Sequence, residues 1–143
     1  MSRTRSGIDG LSSHLGFQWE AADRVRMTIR PDLINPAGLL SGAVAYALVD
    51  YCMGSTLWVE RVEGEAIATI GISINYLQTA TDGDVVCTSK LDRRNDRVAV
   101  LRSELTHEDG RLLATAIGSF SIFPETRLSE SRPRRGFQSP EPG

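Results

Sequence analysis

Cysteine and histidine are scarce in this sequence, and neither sign of charge is in clear excess. Two cysteines, Cys52 and Cys87, stand in apolar surroundings without the CxxC spacing of a redox or zinc motif, which predicts two buried thiols. Sixteen basic and eighteen acidic side chains give a formal net charge of -2. That balance excludes a general attraction to nucleic acid or to anionic lipid, and the GxxxxGK[ST] phosphate-binding loop is also absent.

Long hydrophobic runs are missing as well. No stretch approaches the roughly 18 apolar residues of a membrane span, and no apolar segment follows the polar residues 1–7 as it would in a secretory signal. We therefore expect a cytoplasmic protein without membrane association. The length of 143 residues suits one domain. We expect a flexible N-terminus over residues 1–10, a packed domain over residues 11–123, and a disordered tail rich in Pro, Arg and Ser over residues 124–143.

The hydrophobic pattern between these ends predicts an α+β fold. A hairpin is predicted over residues 16–30, and a helix from Ser41 to about Val59. Four further strands are predicted over residues 66–77, 84–94, 97–107 and 111–123. The resulting order, β-β-α-β-β-β-β, is that of an antiparallel sheet wrapped around one long central helix. Because the helix is apolar on every face, we expect it to be buried.

Asp50 is the one charged residue of that helix. Burying a carboxylate costs several kcal/mol unless it is partnered. Asp50 shares a face with the small residues Ala43, Ala47 and Gly54, which predicts a narrow cavity containing a carboxylate. Two interpretations remain open: a structural residue bonded to nearby hydroxyls or amides, or a general base or nucleophile.

The start of the helix is a second candidate site. Gly42 falls in the first turn, where backbone N–H groups lack partners and the helix dipole is positive, so a developing oxyanion would be stabilised there. The alternative is that Ser41 caps the helix and Gly42 only lets the chain approach a strand.

Three segments together carry a resemblance to a known family. Residues 35–43 read Asn-Pro-Ala-Gly-Leu-Leu-Ser-Gly-Ala, and Asp50 follows fifteen residues after Asn35. Residues 68–77 form a strand that ends in an aromatic and an apolar residue, and residues 109–120 form a terminal hairpin. They resemble the hotdog-fold acyl-CoA thioesterases of the phenylacetic-acid-degradation type, within the 4-hydroxybenzoyl-CoA thioesterase superfamily. That family has an Asn, a Gly, then His-Gly-Gly opening the central helix, and a catalytic acid one to two turns later.

The resemblance implies an acyl-CoA thioesterase that acts as a homodimer or homotetramer, with active sites at the subunit interface. It implies no metal and no cofactor beyond the CoA of the substrate. Asn35 and Gly42 would face the thioester from one subunit, with the Gly42 N–H polarising its carbonyl. Asp50 would act from the other subunit as nucleophile or general base, with Thr69 as a hydrogen-bonding helper.

The chain departs from the family at the helix start. Ser41-Gly42-Ala43 stands where the family usually has His-Gly-Gly, so the glycine is kept and the histidine is not. His14 and His107 lie far from this motif in the sequence. Ser41 and Ala43 remain candidate substrate contacts.

The phosphates of CoA imply a locally basic entrance. Arg93, Arg94 and Arg97, in one predicted turn, are candidate substrate-binding residues; the alternative is a solvated hairpin tip. Two other functions also remain open. One is a hotdog hydratase or dehydratase, which needs a histidine paired with an acid. The other is a non-catalytic acyl-binding dimer.

Overall fold

In a computed structural model, residues 5–131 are described, and their strands form one antiparallel sheet curled around a long helix. The strands are β1 (Arg5–Ser6), β2 (Gln18–Ala21), β3 (Arg24–Thr28), β4 (Glu65–Tyr76), β5 (Asp84–Arg94), β6 (Val98–His107) and β7 (Leu112–Pro124). The helices are α1 (Gly10–Leu15), α2 (Gly42–Glu60) and α3 (Thr126–Ser131), with a 3-10 turn at Pro31–Leu33. The strand order is β1-β2-β3-β5-β6-β7-β4. The predicted α+β fold with one long central helix is confirmed.

The chain ends contain elements that the composition did not predict. Arg5 of β1 pairs with Trp19 of β2. The short helix α1 begins with a capping box, in which the Asp9 side chain accepts from the Ser12 N–H at 2.9 Å. At the other end, α3 follows directly on β7 within the segment expected to be disordered. Residues 1–4 and 132–143, which complete the predicted flexible ends, lie outside the described residues.

Helix α2 buries one side against the sheet and leaves the other uncovered. The buried residues of the helix are Ala45, Leu48, Val49, Cys52, Met53, Thr56 and Leu57. On its other side Tyr46, Trp58 and Val59 are 36%, 44% and 63% exposed. The prediction that the helix is buried on every face is therefore wrong for the single chain, because the sheet curls around one side of it only.

Close packing of α2 on the sheet depends on Gly118 in β7. A Cβ atom at Gly118 would lie 2.6 Å from the sulfur of Met53 and 3.1 Å from Cγ1 of Ile72. Nearby, Cys52 and Cys87 are buried and free, and the Cys52 thiol donates to the Cys87 carbonyl at 3.4 Å. The prediction of two buried thiols is confirmed.

Strand β4 forms one edge of the described sheet. It is 12 residues long and pairs with β7 on one side. A long edge strand carries a row of N–H and C=O groups that can pair with another chain. Among the described helices, none combines the length and the apolar content needed to cross a membrane.

Candidate active site

Asp50 and Thr69 meet between the helix and the edge strand. The Thr69 hydroxyl donates to Oδ1 of Asp50 at 2.6 Å, a length typical of a hydrogen bond to a charged carboxylate. Thr69 pairs with Phe120 of β7, and the register shifts immediately after it, between Thr69 and Gly71. A bulge of this kind re-aims the neighbouring side chains. The contact leaves Oδ2 of Asp50 free to act on a ligand.

A cavity lies at this contact, but of the small residues Ala43, Ala47 and Gly54 that were expected to border it, Gly54 alone is part of its lining. Asp50, Gly54 and Thr69 line a cavity of about 800 Å³. Asp50 is half-buried rather than buried, because the cavity opens beside it and leaves it partly solvated. The desolvation cost expected from the sequence is reduced accordingly.

The segment before α2 is organised by Asn35. Its side-chain Oδ1 accepts from the N–H groups of Ala37 and Leu39 at 3.0 and 3.1 Å, and its own N–H donates to the Leu39 carbonyl at 2.7 Å. Gly38 completes the turn with a φ of 83°, a conformation that favours glycine. The side-chain oxygen of Asn35 is thus used by the turn, while Nδ2 is its remaining donor group.

The helix begins without a side-chain cap. Ser41 occupies the N-cap position, but its hydroxyl makes no capping hydrogen bond, so the interpretation of Ser41 as a capping residue is wrong. The Ser41 carbonyl accepts from the N–H groups of Val44 and Ala45, each at 3.1 Å. The N–H groups of Gly42 and Ala43 therefore precede the first intrahelical bonds and stand at the positive end of the dipole.

Gly42 lies close to strand β4, as the alternative interpretation of this glycine predicted. The Tyr76 hydroxyl at the end of β4 donates to the Gly42 carbonyl at 2.7 Å, and a Cβ at Gly42 would lie 3.3 Å from that hydroxyl. Asn35, Gly42 and Tyr76 line a smaller cavity of about 210 Å³. Sequence reasoning did not name Tyr76 as a candidate site residue, although it is the aromatic residue near the end of the family-like strand over residues 68–77.

The four candidate catalytic residues form two separate pairs within one chain. Asn35 and Gly42 line the smaller cavity, whereas Asp50 and Thr69 line the larger one. Along α2, Gly42 and Asp50 are eight residues apart, which corresponds to roughly 12 Å of helix axis. Within the single chain, the candidate residues are therefore divided between two cavities.

The candidate phosphate-binding arginines lie at the β5–β6 hairpin. Arg94 makes two hydrogen bonds of 3.0 Å to the carboxylate of Glu65, and this pairing lowers the pKa of Glu65 to about 2. Arg93 and Arg97 are exposed. Of the three, Arg94 is thus engaged in a structural ion pair, and Arg93 and Arg97 present their charge to solvent.

The histidines do not take the place of the family's histidine. His107 is buried at the end of β6, where its Nε2 lies 2.7 Å from the Asp82 carbonyl and its Nδ1 lies 3.1 Å from the Asp109 carboxylate. The Asp82 carbonyl and then the Asp109 carboxylate raise the pKa of His107. His14 is exposed on α1. Over residues 5–131, no three His, Cys, Asp or Glu side chains are close enough together to hold a metal ion.

A wall of the larger cavity comes from the N-terminal segment. Ile8 and Leu11 line it, and the Tyr51 hydroxyl of α2 donates to Oδ2 of Asp9 at 2.7 Å. Burial and this hydrogen bond raise the pKa of Tyr51 to about 12. Trp19 is fixed beside them by its ring N–H, which donates to the Ser55 hydroxyl at 2.9 Å. Sequence reasoning missed this wall because Asp9 falls in the segment expected to be flexible.

Comparison with known protein families identifies the class. The sequence profile of the thioesterase superfamily matches residues 37–114, which include Gly42, Asp50, Thr69 and Tyr76. The chain therefore belongs to the thioesterase superfamily. Its fold is the hotdog fold of that superfamily.

One curated relative is similar over part of the chain. Over 93 residues the chain is 29% identical to the medium/long-chain acyl-CoA thioesterase YigI of Salmonella typhimurium, and the match covers 59% of this chain and 60% of that protein. The chain thus spans about 60% of the length of this curated relative.

Two solved structures show the same fold. Thioesterase HI1161 of Haemophilus influenzae superposes with a TM-score of 0.76 at 19% identity, over 82% of this chain and 85% of that one. The BH2602 protein of Bacillus halodurans, solved with CoA, superposes with a TM-score of 0.75 at 20% identity, over 79% of this chain and 75% of that one.

Proposed function

We propose that the protein is an acyl-CoA thioesterase, which hydrolyses a thioester to the free acid and CoA. The observation that carries the proposal is the Asp50 carboxylate, held by Thr69 at 2.6 Å on the wall of a largely apolar cavity. Membership of the thioesterase superfamily and the name of the Salmonella relative support it. The CoA in the Bacillus structure supports the same substrate class.

The active form in this proposal is a homodimer, alone or doubled to a homotetramer. Pairing of two β4 edges would extend the sheet across both copies, and the uncovered side of α2 would be buried between them. Asn35 and Gly42 of one copy would then face Asp50 and Thr69 of the other. The proposal is supported by the edge position of β4, the exposed Trp58 and Val59, and the division of the candidate residues between two cavities. Sedimentation showing a stable monomer at micromolar concentration would overturn it.

In the proposed reaction, the helix start binds the carbonyl and Asp50 supplies the base or nucleophile. The N–H of Gly42 donates to the thioester oxygen, and Asn35 Nδ2 is a further donor for positioning the substrate. As a general base, Asp50 takes a proton from water, whose oxygen attacks the carbonyl carbon. The C–S bond then breaks, and the CoA thiolate takes the proton from Asp50.

As a nucleophile, Asp50 attacks the carbonyl carbon directly and expels the thiolate, and water then cleaves the mixed anhydride. Hydrolysis in water labelled with a heavy oxygen isotope distinguishes the two routes by the molecule in which the label appears. In a single turnover, the nucleophilic route with attack of water on the aspartyl carbonyl places solvent oxygen in Asp50, whereas the general-base route places it in the product acid.

The finer assignment is to the phenylacetic-acid-degradation type, with a cytoplasmic location and a CoA entrance near Arg93 and Arg97. The motif over residues 35–43 supports the subtype, and the two free buried cysteines suit a reducing compartment. Ser41 in place of the family histidine is the departure from that pattern.

A thiol-release assay across short, aromatic and long-chain acyl-CoAs tests the proposed function. Release from any of these esters by the wild-type protein, lost in Asp50→Asn, supports the thioesterase. Saturable binding without release identifies the non-catalytic acyl-binding dimer instead. Hydration of an enoyl-CoA would identify the hydratase, which would have to work without His14 or His107, since neither lines the two cavities.

A further inference from the structure

The loop between β4 and β5, over residues 77–83, forms part of the wall of the smaller cavity at the helix start. The loop residues that line this cavity are Gln78, Thr79 and Ala80. The Ala80 carbonyl also accepts from the Leu40 N–H at 2.9 Å, and Leu40 lies two residues before Gly42 in the chain. A shift of this loop therefore displaces the segment that leads into α2.

Side chains from the β6–β7 hairpin hold this loop in place. Nη1 of Arg111 donates to the Thr79 carbonyl at 2.8 Å. Nε2 of His107 lies 2.7 Å from the Asp82 carbonyl, and because a carbonyl only accepts, this nitrogen carries a hydrogen and donates. A Cβ atom at Gly83 would lie 2.8 Å from Nε2, so glycine lets the ring come this close. An arginine stays protonated, whereas a histidine changes its charge near neutral pH.

The second ring nitrogen of His107 has two partners, and protonation of the ring selects between them. Nδ1 lies 3.2 Å from the backbone nitrogen of Asp109 and 3.1 Å from Oδ1 of the same residue. In the neutral ring, Nδ1 accepts from the Asp109 N–H; in the charged ring, Nδ1 donates to the carboxylate. Both forms keep the bond from Nε2 to Asp82, but the charged ring is the stronger donor.

The groups around the ring favour its charged form. The Asp82 carbonyl and then the Asp109 carboxylate raise the pKa of His107, against the opposing effects of burial and of the Arg111 guanidinium. The charged residues on the elements packed against the ring are Asp82, Asp84, Glu108, Asp109 and Arg111, with Arg26 of β3 paired to Asp84. The bond to the loop is therefore strongest where the ring is protonated and weakens as the pH rises.

We propose that His107 is a positioning residue for the start of α2, and that it acts through the β4–β5 loop. The ring fixes the Asp82 carbonyl, and two residues earlier the Ala80 carbonyl fixes the Leu40 N–H. His107 lines neither cavity, so it does not touch the substrate itself. The charged ring holds the loop more firmly and thereby restricts the Gly42 N–H to the position that binds the thioester oxygen. This inference rests on the proposed thioesterase function.

Amide hydrogen exchange, followed by NMR across a range of pH, tests the coupling without any substrate. The protection factor is the intrinsic exchange rate divided by the observed rate. For the Leu40 N–H of the wild type it falls by about fivefold as the pH rises through the pKa of His107, in line with the difference between charged and neutral donors. His107→Gln keeps a neutral donor and shows no such step. His14→Gln is the matched control, since His14 is exposed on α1, and it behaves as the wild type.

A reference amide separates a local effect from a general one. The Val98 N–H donates to Oδ1 of Asn95 at 2.9 Å, at the opposite end of the ten-residue strand β6 from His107 and about 30 Å away along the strand. Its protection factor does not follow the titration of His107. Asp109→Asn removes the partner of the charged ring, so in this variant the step at Leu40 moves to lower pH.

Thiol release gives the second measurement, which also depends on the proposed function. The ratio of kcat in the wild type to kcat in His107→Gln is about two- to fivefold below the pKa of His107 and about one above it. The titration of Asp50 cancels in this ratio because both proteins contain it. KM changes little, since the oxyanion that the helix start binds develops in the transition state.

The outcomes separate this inference from the proposed function. A Leu40 protection factor that shows no step in the wild type, that keeps its step in His107→Gln, or that Val98 matches would overturn the inference and leave the thioesterase standing. A kcat ratio that does not vary with pH would show that His107 is only structural. If His107→Gln does not fold, the shift of the step in Asp109→Asn decides, and an unmoved step overturns the inference. If the wild type releases no thiol, the thioesterase is refuted, and the exchange of Leu40 still decides whether His107 controls the helix start.

Discussion

The substitution Asp50→Asn separates a chemical role of this residue from a structural one. The amide keeps the shape of the side chain, and its Oδ1 can still accept the Thr69 hydrogen bond of 2.6 Å. What is lost is the negative charge and the ability to take a proton or attack a carbonyl. If Asp50 acts on the thioester, kcat falls by about a hundredfold or more, which corresponds to roughly 2.7 kcal/mol of activation free energy.

If Asp50 has a chemical rather than a structural role, Asp50→Asn changes the free energy of unfolding only slightly. A hydrogen bond to a charged group contributes about 1.5–3 kcal/mol and a neutral one about 0.5–1.5 kcal/mol. Since Asp50 is half-buried at a cavity, solvent screens its charge and the difference falls at the low end. The free energy of unfolding therefore changes by about 1 kcal/mol or less.

Thiol release and denaturant unfolding are measured on one preparation of each variant. Thr69→Ser keeps the hydroxyl that donates to Asp50 and serves as a control, whereas Thr69→Val removes it and lowers kcat in the same direction as Asp50→Asn. Full activity of Asp50→Asn together with a lower melting temperature would remove Asp50 from the mechanism and leave it a structural residue.

Three further predictions concern other parts of the molecule. Gly118→Ala forces an added methyl against the helix methionine sulfur at 2.6 Å and lowers the free energy of unfolding by about 1–3 kcal/mol; a loss below about 0.5 kcal/mol in urea titration would contradict this packing. Because the pKa of His107 is raised, its stabilising effect is complete below its unfolded pKa of about 6.5 and is lost as the pH rises through the folded pKa. Urea titrations at several pH values should show the free energy of unfolding falling over this pH range in the wild type and in His14→Gln, but not in His107→Gln. The same pH dependence of the free energy of unfolding in His107→Gln would refute the prediction. Tyr76→Phe removes the hydrogen bond to the helix start and lowers kcat about two- to tenfold with little change in KM, in line with one neutral hydrogen bond; a change in KM alone would show a binding role instead.

Local patterns in the sequence predicted the elements that local interactions determine. The predicted strand over residues 84–94 coincides with β5, and the helix begins and ends within one residue of its predicted bounds. Turn residues and apolar periodicity lie in the chain next to the elements that they define. Helix α1 was missed although its Asp9 and Ser12 capping box is also a local signal, because a six-residue helix carries too little apolar pattern to stand out in a polar segment.

Long-range features could not be read in the same way. Which side of α2 stays exposed depends on how far the sheet curls around it. The residue pattern of the helix itself does not predict that curvature. The contact of Asp50 with Thr69 joins residues 19 positions apart, and the resemblance to a family, rather than periodicity, suggested it. The approach of Gly54 to Phe120, where an added Cβ atom would lie 4.0 Å from the ring, likewise joins the helix to a strand far along the chain.

The hydrogen bond from Tyr76 affects the backbone donors at the helix start. The Gly42 carbonyl and the Ala43 N–H belong to the same peptide group, and the Tyr76 hydroxyl donates to that carbonyl at 2.7 Å. A hydrogen bond to the oxygen of a peptide group polarises it and strengthens its N–H as a donor. The Ala43 N–H therefore gains from Tyr76 as well as from the helix dipole. Because Ser41 contributes no side-chain capping bond, the donors that the helix start itself offers are the backbone N–H groups of Gly42 and Ala43. The hydrogen bond from Tyr76 in β4 orients the peptide group between these two residues.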